Sequence, residues 1–189
     1  DNEQQQVAEA TQQAQKLERL VKERTSALEE SNQRLHDLAS KDPLTELPNR
    51  RSLDLFVDDC LDAEYIHIGI AMVDLDHFKR LNDTYGHDVG DMVLCAVAKV
   101  LNPLNTQSQI AGRFGGEEFA IVVRQPQADE FENLLQNVHQ GINQVRLPEF
   151  PEVKVKASIG WVISEQGESI SECFRRADQA LYQAKDQGR

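Results

Sequence analysis

Two adjacent glycines set between apolar runs constrain this chain more than any other feature. Gly115 and Gly116 follow residues 108–114 (SQIAGRF) and, after a pair of glutamates, lead into residues 119–123 (FAIVV). Paired glycines reach positive φ without steric penalty, so the segment predicts two strands joined by a tight two-residue turn. Glu117 and Glu118 then stand at the start of the second strand. Successive strand residues face opposite sides, so one carboxylate can face a metal while the other meets a cation or a substrate group. Turn chemistry alone allows the plainer alternative, a hairpin with a solvated acidic edge.

A second acidic stretch shifts the balance. Residues 65–73 form another apolar run, read as a buried strand, and Asp74-Leu75-Asp76-His77-Phe78-Lys79 follows it. Carboxylates are thereby placed at the carboxyl end of a strand, where ligand sites in sheet proteins gather.

The chain has 189 residues, 40% of them hydrophobic, enough for one core and an appendage. Its 32 acidic residues against 20 basic ones give a net charge of −12. A duplex-binding domain shows the opposite balance, because phosphate neutralisation needs clustered Lys and Arg. Nucleic-acid polymer is thus excluded as the expected partner, while a single nucleotide escorted by divalent metal is compatible. Cys60, Cys95 and Cys173 are scattered and odd in number. They argue against a disulfide scaffold or a structural zinc site and predict a reducing compartment, the cytoplasm, whether free or as the cytoplasmic part of a membrane-anchored protein. No run approaches the roughly 20 apolar residues of a membrane helix. The first residue is Asp1, and the expectation is a portion of a longer protein with a sensor upstream.

Residues 1–40 are Gln- and Glu-rich and lack Gly and Pro. Val7, Ala14, Val21, Leu28 and Leu35 share one heptad position, and Ala10, Leu17, Arg24, Ser31 and Leu38 share the position three later. This is the a/d seam of a coiled coil, interrupted by Arg24 and Ser31, and predicts a long helical stalk that pairs with its own copy. A single helix packed on its own domain is the alternative. Pro43 and Pro48 then end the helix and mark the boundary to a domain spanning residues 41–189.

Within the domain, apolar spacing predicts a helix over 51–61, the strand over 65–73 and a helix over 92–101. Gly86 and Gly90 punctuate the intervening segment, and Asp91 is placed at the start of the 92–101 helix, where the bland reading makes Asp88 and Asp91 N-terminal carboxylates. After the hairpin come a helix over 129–145, a strand over 153–164 and a closing helix over 170–185. The order helix, strand, helix, helix, strand, strand, helix, strand, helix predicts an α+β fold, helices flanking a mostly antiparallel central sheet.

Several stretches, taken together and in order, carry a resemblance: Asp42-Pro-Leu-Thr-Glu-Leu-Pro-Asn-Arg50, Asp74 to Lys79, Asn82-Asp-Thr-Tyr-Gly-His-Asp-Val-Gly-Asp91, Gly112-Arg-Phe-Gly-Gly-Glu-Glu-Phe119 and Arg176 to Lys185. They resemble the GGDEF family of diguanylate cyclases over residues 41–189. The long helix in front resembles the signalling helices that join such domains to upstream sensors. The resemblance implies condensation of two GTP molecules to cyclic di-GMP with release of two pyrophosphates. It also implies a fold similar to the nucleotide cyclases and the polymerase palm.

Carried over residue by residue, it implies that Asp74 and Glu117, with the Leu75 carbonyl, hold Mg²⁺ or, as the other candidate, Mn²⁺. Asn82 and Asp91 match guanine readers. Phe78, Lys79, Lys185 and Arg189 match positions at the triphosphate, and Gly116 lets the backbone approach the phosphates. Glu118 is implied to be catalytic, with its role open between orienting Lys79, assisting deprotonation and touching metal. Each protomer would hold one GTP, so activity would need a homodimer, paired through the N-terminal helix. A catalytically silent nucleotide-binding or dimerisation module is the competing reading.

Two departures from the family pattern matter. Glu46 stands where D-x-L-T-G-L has glycine. Thr106-Gln107-Ser108-Gln109 stands where many relatives carry the R-x-x-D product-binding site. Without an arginine to fork onto the product, cyclic di-GMP is expected to inhibit weakly or not at all through this surface.

Overall fold

The computed structural model describes residues 16–26, 40–62, 67–165 and 167–188. The chain divides into two units, Asp1–Ala39 and Ser40–Arg189, each described by itself. In the first, residues 16–26 form α1, which leaves Leu17, Leu20 and Val21 exposed. Leu17, Val21 and Arg24 belong to the heptad seam. Its other members, Val7, Ala10, Ala14, Leu28, Ser31, Leu35 and Leu38, lie outside the described residues, and the pairing of the stalk with them.

The second unit runs α2 (Arg50–Asp62), β1 (Ile68–Leu75), α3 (Phe78–Tyr85), α4 (His87–Leu101), a 3-10 turn at Asn102–Leu104, β2 (Gln109–Gly115), β3 (Glu118–Arg124), α5 (Ala128–Asn143), β4 (Ala157–Ile163) and α6 (Ile170–Gly188). The four strands make one sheet in the order β2-β3-β1-β4, each neighbour antiparallel. This α+β sheet is the one expected from the order of elements.

The strands are continuous apolar runs because the sheet is covered on both faces. Along β1, Ile68, Ile70 and Met72 turn to one side, where they pack with Leu53 and Val57 of α2 and Cys173, Ala177 and Leu181 of α6. Ala71, Val73 and Leu75 turn to the other side, onto Val93 and Val97 of α4 and Phe131 and Leu135 of α5. α6 lies hard against β4 at Gly160, where an added Cβ would stand 1.9 Å from the Leu181 nitrogen. Only glycine admits a helix backbone that close.

Several boundaries differ from expectation. β1 extends through Asp74 to Leu75, because Asp74 is paired on both sides, with Glu118 and Ser158. β4 starts at Ala157, since its partner β1 ends at Leu75; residues 153–156 precede the ladder with Val153 and Val155 buried. The hairpin turn is Gly116–Glu117, one residue later than the predicted pair of glycines. The register shifts between Arg113 and Gly115, so Phe114 is an extra residue that moves the turn along. Finally, α4 begins at His87, which puts Asp91 in its second turn.

Candidate active site

The sheet ends at a row of polar side chains. Directly opposed residues in a ladder share a face, so Glu118, Asp74 and Ser158 line up across β3, β1 and β4. They lie on the face that α6 covers, because Ala120, two residues after Glu118, and Met72, two before Asp74, belong to that side of the core. α6 presents Leu181 to Gly160, and one turn later Lys185 reaches the end of the sheet. Its Nζ lies 2.7 Å from Asp74 Oδ1, with the two side chains 19% and 13% exposed. Burial pushes the Glu118 carboxyl above its ordinary value, and the charges of Asp74, Asp178 and Glu117 push it the same way, against the pull of Lys185. The Ser158 hydroxyl donates to Asp76 Oδ1 at 2.8 Å, fixing the residue just past the strand.

Glu117 joins this row through the turn. Its carbonyl accepts from the Leu75 N–H at 3.4 Å, which holds the hairpin tip beside the end of β1. Arg113 clamps the tip from the other side. Its Nε and Nη2 donate to the Gly116 carbonyl at 3.0 and 2.9 Å, and Nη1 donates to Asp42 at 3.1 and 3.3 Å. Asp42 also accepts from the Thr45 N–H and hydroxyl at 2.9 and 2.7 Å. Burial alone would raise the Asp42 carboxyl, but the bonds from Thr45 and Arg113 outweigh it and hold the group low. Arg113 was legible only as a motif letter; its partners are set by the fold.

α3 and α4 form the second part of the site. His77 adopts φ 58° ahead of α3 and supplies no side-chain cap, so the first N–H groups of α3, from Phe78 and Lys79 on, are left uncapped. Phe78 is buried, while Lys79 is exposed. Asn82 Oδ1 is buried without a hydrogen-bond partner. It lies over Gly90, where a Cβ would stand 1.9 Å away. Asp91, next in the chain, is exposed, and the helix dipole that would favour a capping carboxylate fades beyond the first turn. In the sequence Gly90 carries only the signal of a chain break; the room it leaves for Asn82 depends on how α3 packs on α4.

Lys185 is thus seated on Asp74, while Arg189 lies outside the described residues. Among the described residues, no cluster of three or more His, Cys, Asp or Glu side chains forms a metal cage. The expected donor set is different, two carboxylates and a backbone carbonyl. Hard oxygen donors, with Asp74 already paired to a cation and with Glu118 raised by burial and then by the charges of Asp74, Asp178 and Glu117, fit a divalent ion of the Mg²⁺ or Mn²⁺ kind.

The family profile described as "Diguanylate cyclase, GGDEF domain" matches residues 39–189. The chain is 36% identical over 166 residues to the probable diguanylate cyclase DgcC of Escherichia coli K12, covering 86% of this chain and 45% of that protein. It therefore spans less than half the length of that curated relative. Among solved structures, the coiled coil and GGDEF domain of DgcB from Caulobacter crescentus, in complex with c-di-GMP, matches with a TM-score of 0.81 at 31% identity, over 88% of this chain and 91% of that one. The diguanylate cyclase SiaD of Pseudomonas aeruginosa, in complex with its activator SiaC, matches with a TM-score of 0.76 at 30% identity, over 98% of this chain and 73% of that one. With the family profile matched over residues 39–189 and the fold shared with these solved structures, the chain belongs to the GGDEF domain family.

Proposed function

We propose that this chain is the output domain of a longer signalling protein and condenses two GTP molecules into cyclic di-GMP, releasing two pyrophosphates. The observation that carries the reading is the charged grouping at the sheet end, Asp74 opposite Glu118 with Lys185 at 2.7 Å from the aspartate. Asp74, Glu117 and the Leu75 carbonyl would hold Mg²⁺ or Mn²⁺. An ion held there would supply polarisation of the α-phosphate, a lower pKa for the attacking 3′-hydroxyl and charge neutralisation of the leaving pyrophosphate.

The protein's own groups bind and orient. The partnerless Asn82 Oδ1 accepts a guanine N–H, and the Asp91 carboxylate accepts from the N1 and N2 hydrogens, a pattern adenine cannot offer. The uncapped N–H groups at the start of α3 and the Lys79 ammonium receive phosphate oxygens. Gly116, at φ 52° with open space where a Cβ would be, lets the turn approach the phosphates. Glu118, its carboxyl raised by burial, is matched to take up the 3′-hydroxyl proton.

Each protomer would bind one nucleotide, so two copies must meet with their hairpins facing, and the exposed Leu17 and Val21 of α1 suit a stalk that pairs the copies. The free Cys60, Cys95 and Cys173 suit a reducing, cytoplasmic setting. The direct experiment is incubation with GTP and Mg²⁺, with product identified by mass. Cyclic di-GMP from GTP, and no dinucleotide from ATP, is the expected result. Its absence would leave the silent nucleotide-binding module.

A further inference from the structure

The family resemblance implies a place for Lys185 at the triphosphate, yet its ammonium is held on Asp74, the residue assigned to the metal. The contact is a built one. Lys185 is delivered by a helix whose backbone is locked onto β4 at Gly160, and Asp74 is fixed by ladders on both sides. The pair is largely withdrawn from water, and Lys185 is the only cation paired with Asp74 among the described residues. A carboxylate in such a place needs a counter-charge, and an ammonium 2.7 Å from Oδ1 repels a divalent ion brought to the same carboxylate.

We propose that Lys185 is an exchangeable counter-ion: it neutralises Asp74 in the nucleotide-free protein and swings to the triphosphate when the divalent cation takes the aspartate. This rests on the reading of Asp74 as a metal ligand. Two consequences follow from the exchange. Metal alone binds weakly, because it must displace an ammonium that then has no partner. Metal and nucleotide together bind cooperatively, because the displaced ammonium gains the phosphates. The same exchange unpins the last turns of α6 from the sheet.

The test is Mn²⁺ binding to the full chain without nucleotide, followed by electron paramagnetic resonance of the free ion. Wild type is compared with Lys185→Met, Lys185→Arg, Asp74→Asn and the double variant Asp74→Asn/Lys185→Met. Lys185→Met is expected to bind Mn²⁺ about tenfold more tightly than wild type, a coupling of ordinary size, with Lys185→Arg close to wild type and both Asp74→Asn proteins losing the site. Equal affinities in Lys185→Met and wild type, both lost with Asp74→Asn, would overturn the exchange and leave the metal ligand standing. Wild-type binding retained in Asp74→Asn would overturn both readings. No binding by Lys185→Met beyond that of the double variant would also overturn the exchange. Hydrogen exchange on the unmutated chain gives an independent readout. Mn²⁺ alone should speed exchange in residues 182–186, and a non-hydrolysable GTP analogue added with it should slow it again. Exchange indifferent to Mn²⁺ would count against the proposal.

Discussion

Single residues in this domain show how much a backbone angle or a missing methyl group can decide. Glu46 replaces the glycine of the family motif, and the loop keeps a glycine-like conformation, with φ 59° at Glu46. A side chain held there is strained, and glycine would relieve it at some cost in unfolded-state entropy. Glu46→Gly is therefore expected to stabilise the fold by up to about 1 kcal/mol in urea denaturation. Gly90 is the opposite case. The atom an added Cβ would meet is the end of the Asn82 side chain, which can move aside. Gly90→Ala should leave the melting temperature nearly unchanged and displace the amide proposed to read guanine. We expect KM for GTP to rise about tenfold, equivalent to about 1.4 kcal/mol, with kcat little affected. An unchanged KM would return Asn82 to a packing role.

Among the elements, the hairpin depends on a loop distant in sequence. Asp42 and Arg113 are 17% and 15% exposed, and through Arg113 the aspartate positions the Gly116 carbonyl at the turn. Since the folded Asp42 carboxyl lies below its unfolded 3.8, the unfolded chain binds the proton first as pH falls. Its contribution to stability is then complete above the unfolded value and is lost as pH drops through the lower folded one. Asp42→Asn should cost about 2 kcal/mol at neutral pH, the scale of a hydrogen bond to a charged group, and the gap to wild type should close in strong acid. Denaturant titrations across pH measure both. The α6–β4 contact makes a second demand. Gly160→Ala drives a methyl group into helix backbone, which cannot yield as a side chain can. It should destabilise by about 1 to 3 kcal/mol, and the displacement of α6 should carry Lys185 off Asp74.

At the scale of the whole molecule, the proposed reaction needs two protomers. Specific activity should fall on dilution once the dimer dissociates, and removing residues 1–39 should move that fall to higher protein concentration. Activity per milligram constant down to monomeric conditions, checked by sedimentation, would contradict a shared site. Product control is the other global property. Residues 106–109 form a small uncharged turn, in which the Thr106 N–H donates to the Gln109 carbonyl at 2.9 Å and the Ser108 N–H to Thr106 Oγ1 at 3.3 Å. Calorimetry should find no submicromolar cyclic di-GMP binding that changes at 106–109 remove.

Much of the fold was legible because its signals are local. Apolar periodicity ordered the helices and strands, and Asp74 and Glu118 stood out as acids at strand ends, with Glu117 beside them in the turn. Register and facing were not legible, because they arise between segments far apart in the chain. A bulge at Phe114 has no periodic signature, so the turn came one residue late. Asp74 meets Lys185 because β1 is central and α6 crosses β4 at a glycine, and neither fact is contained in either motif. The sequence by itself determined which elements form and which chemical groups they carry. Tertiary structure decided which charges neutralise one another, since that depends on the approach of backbones across the sheet.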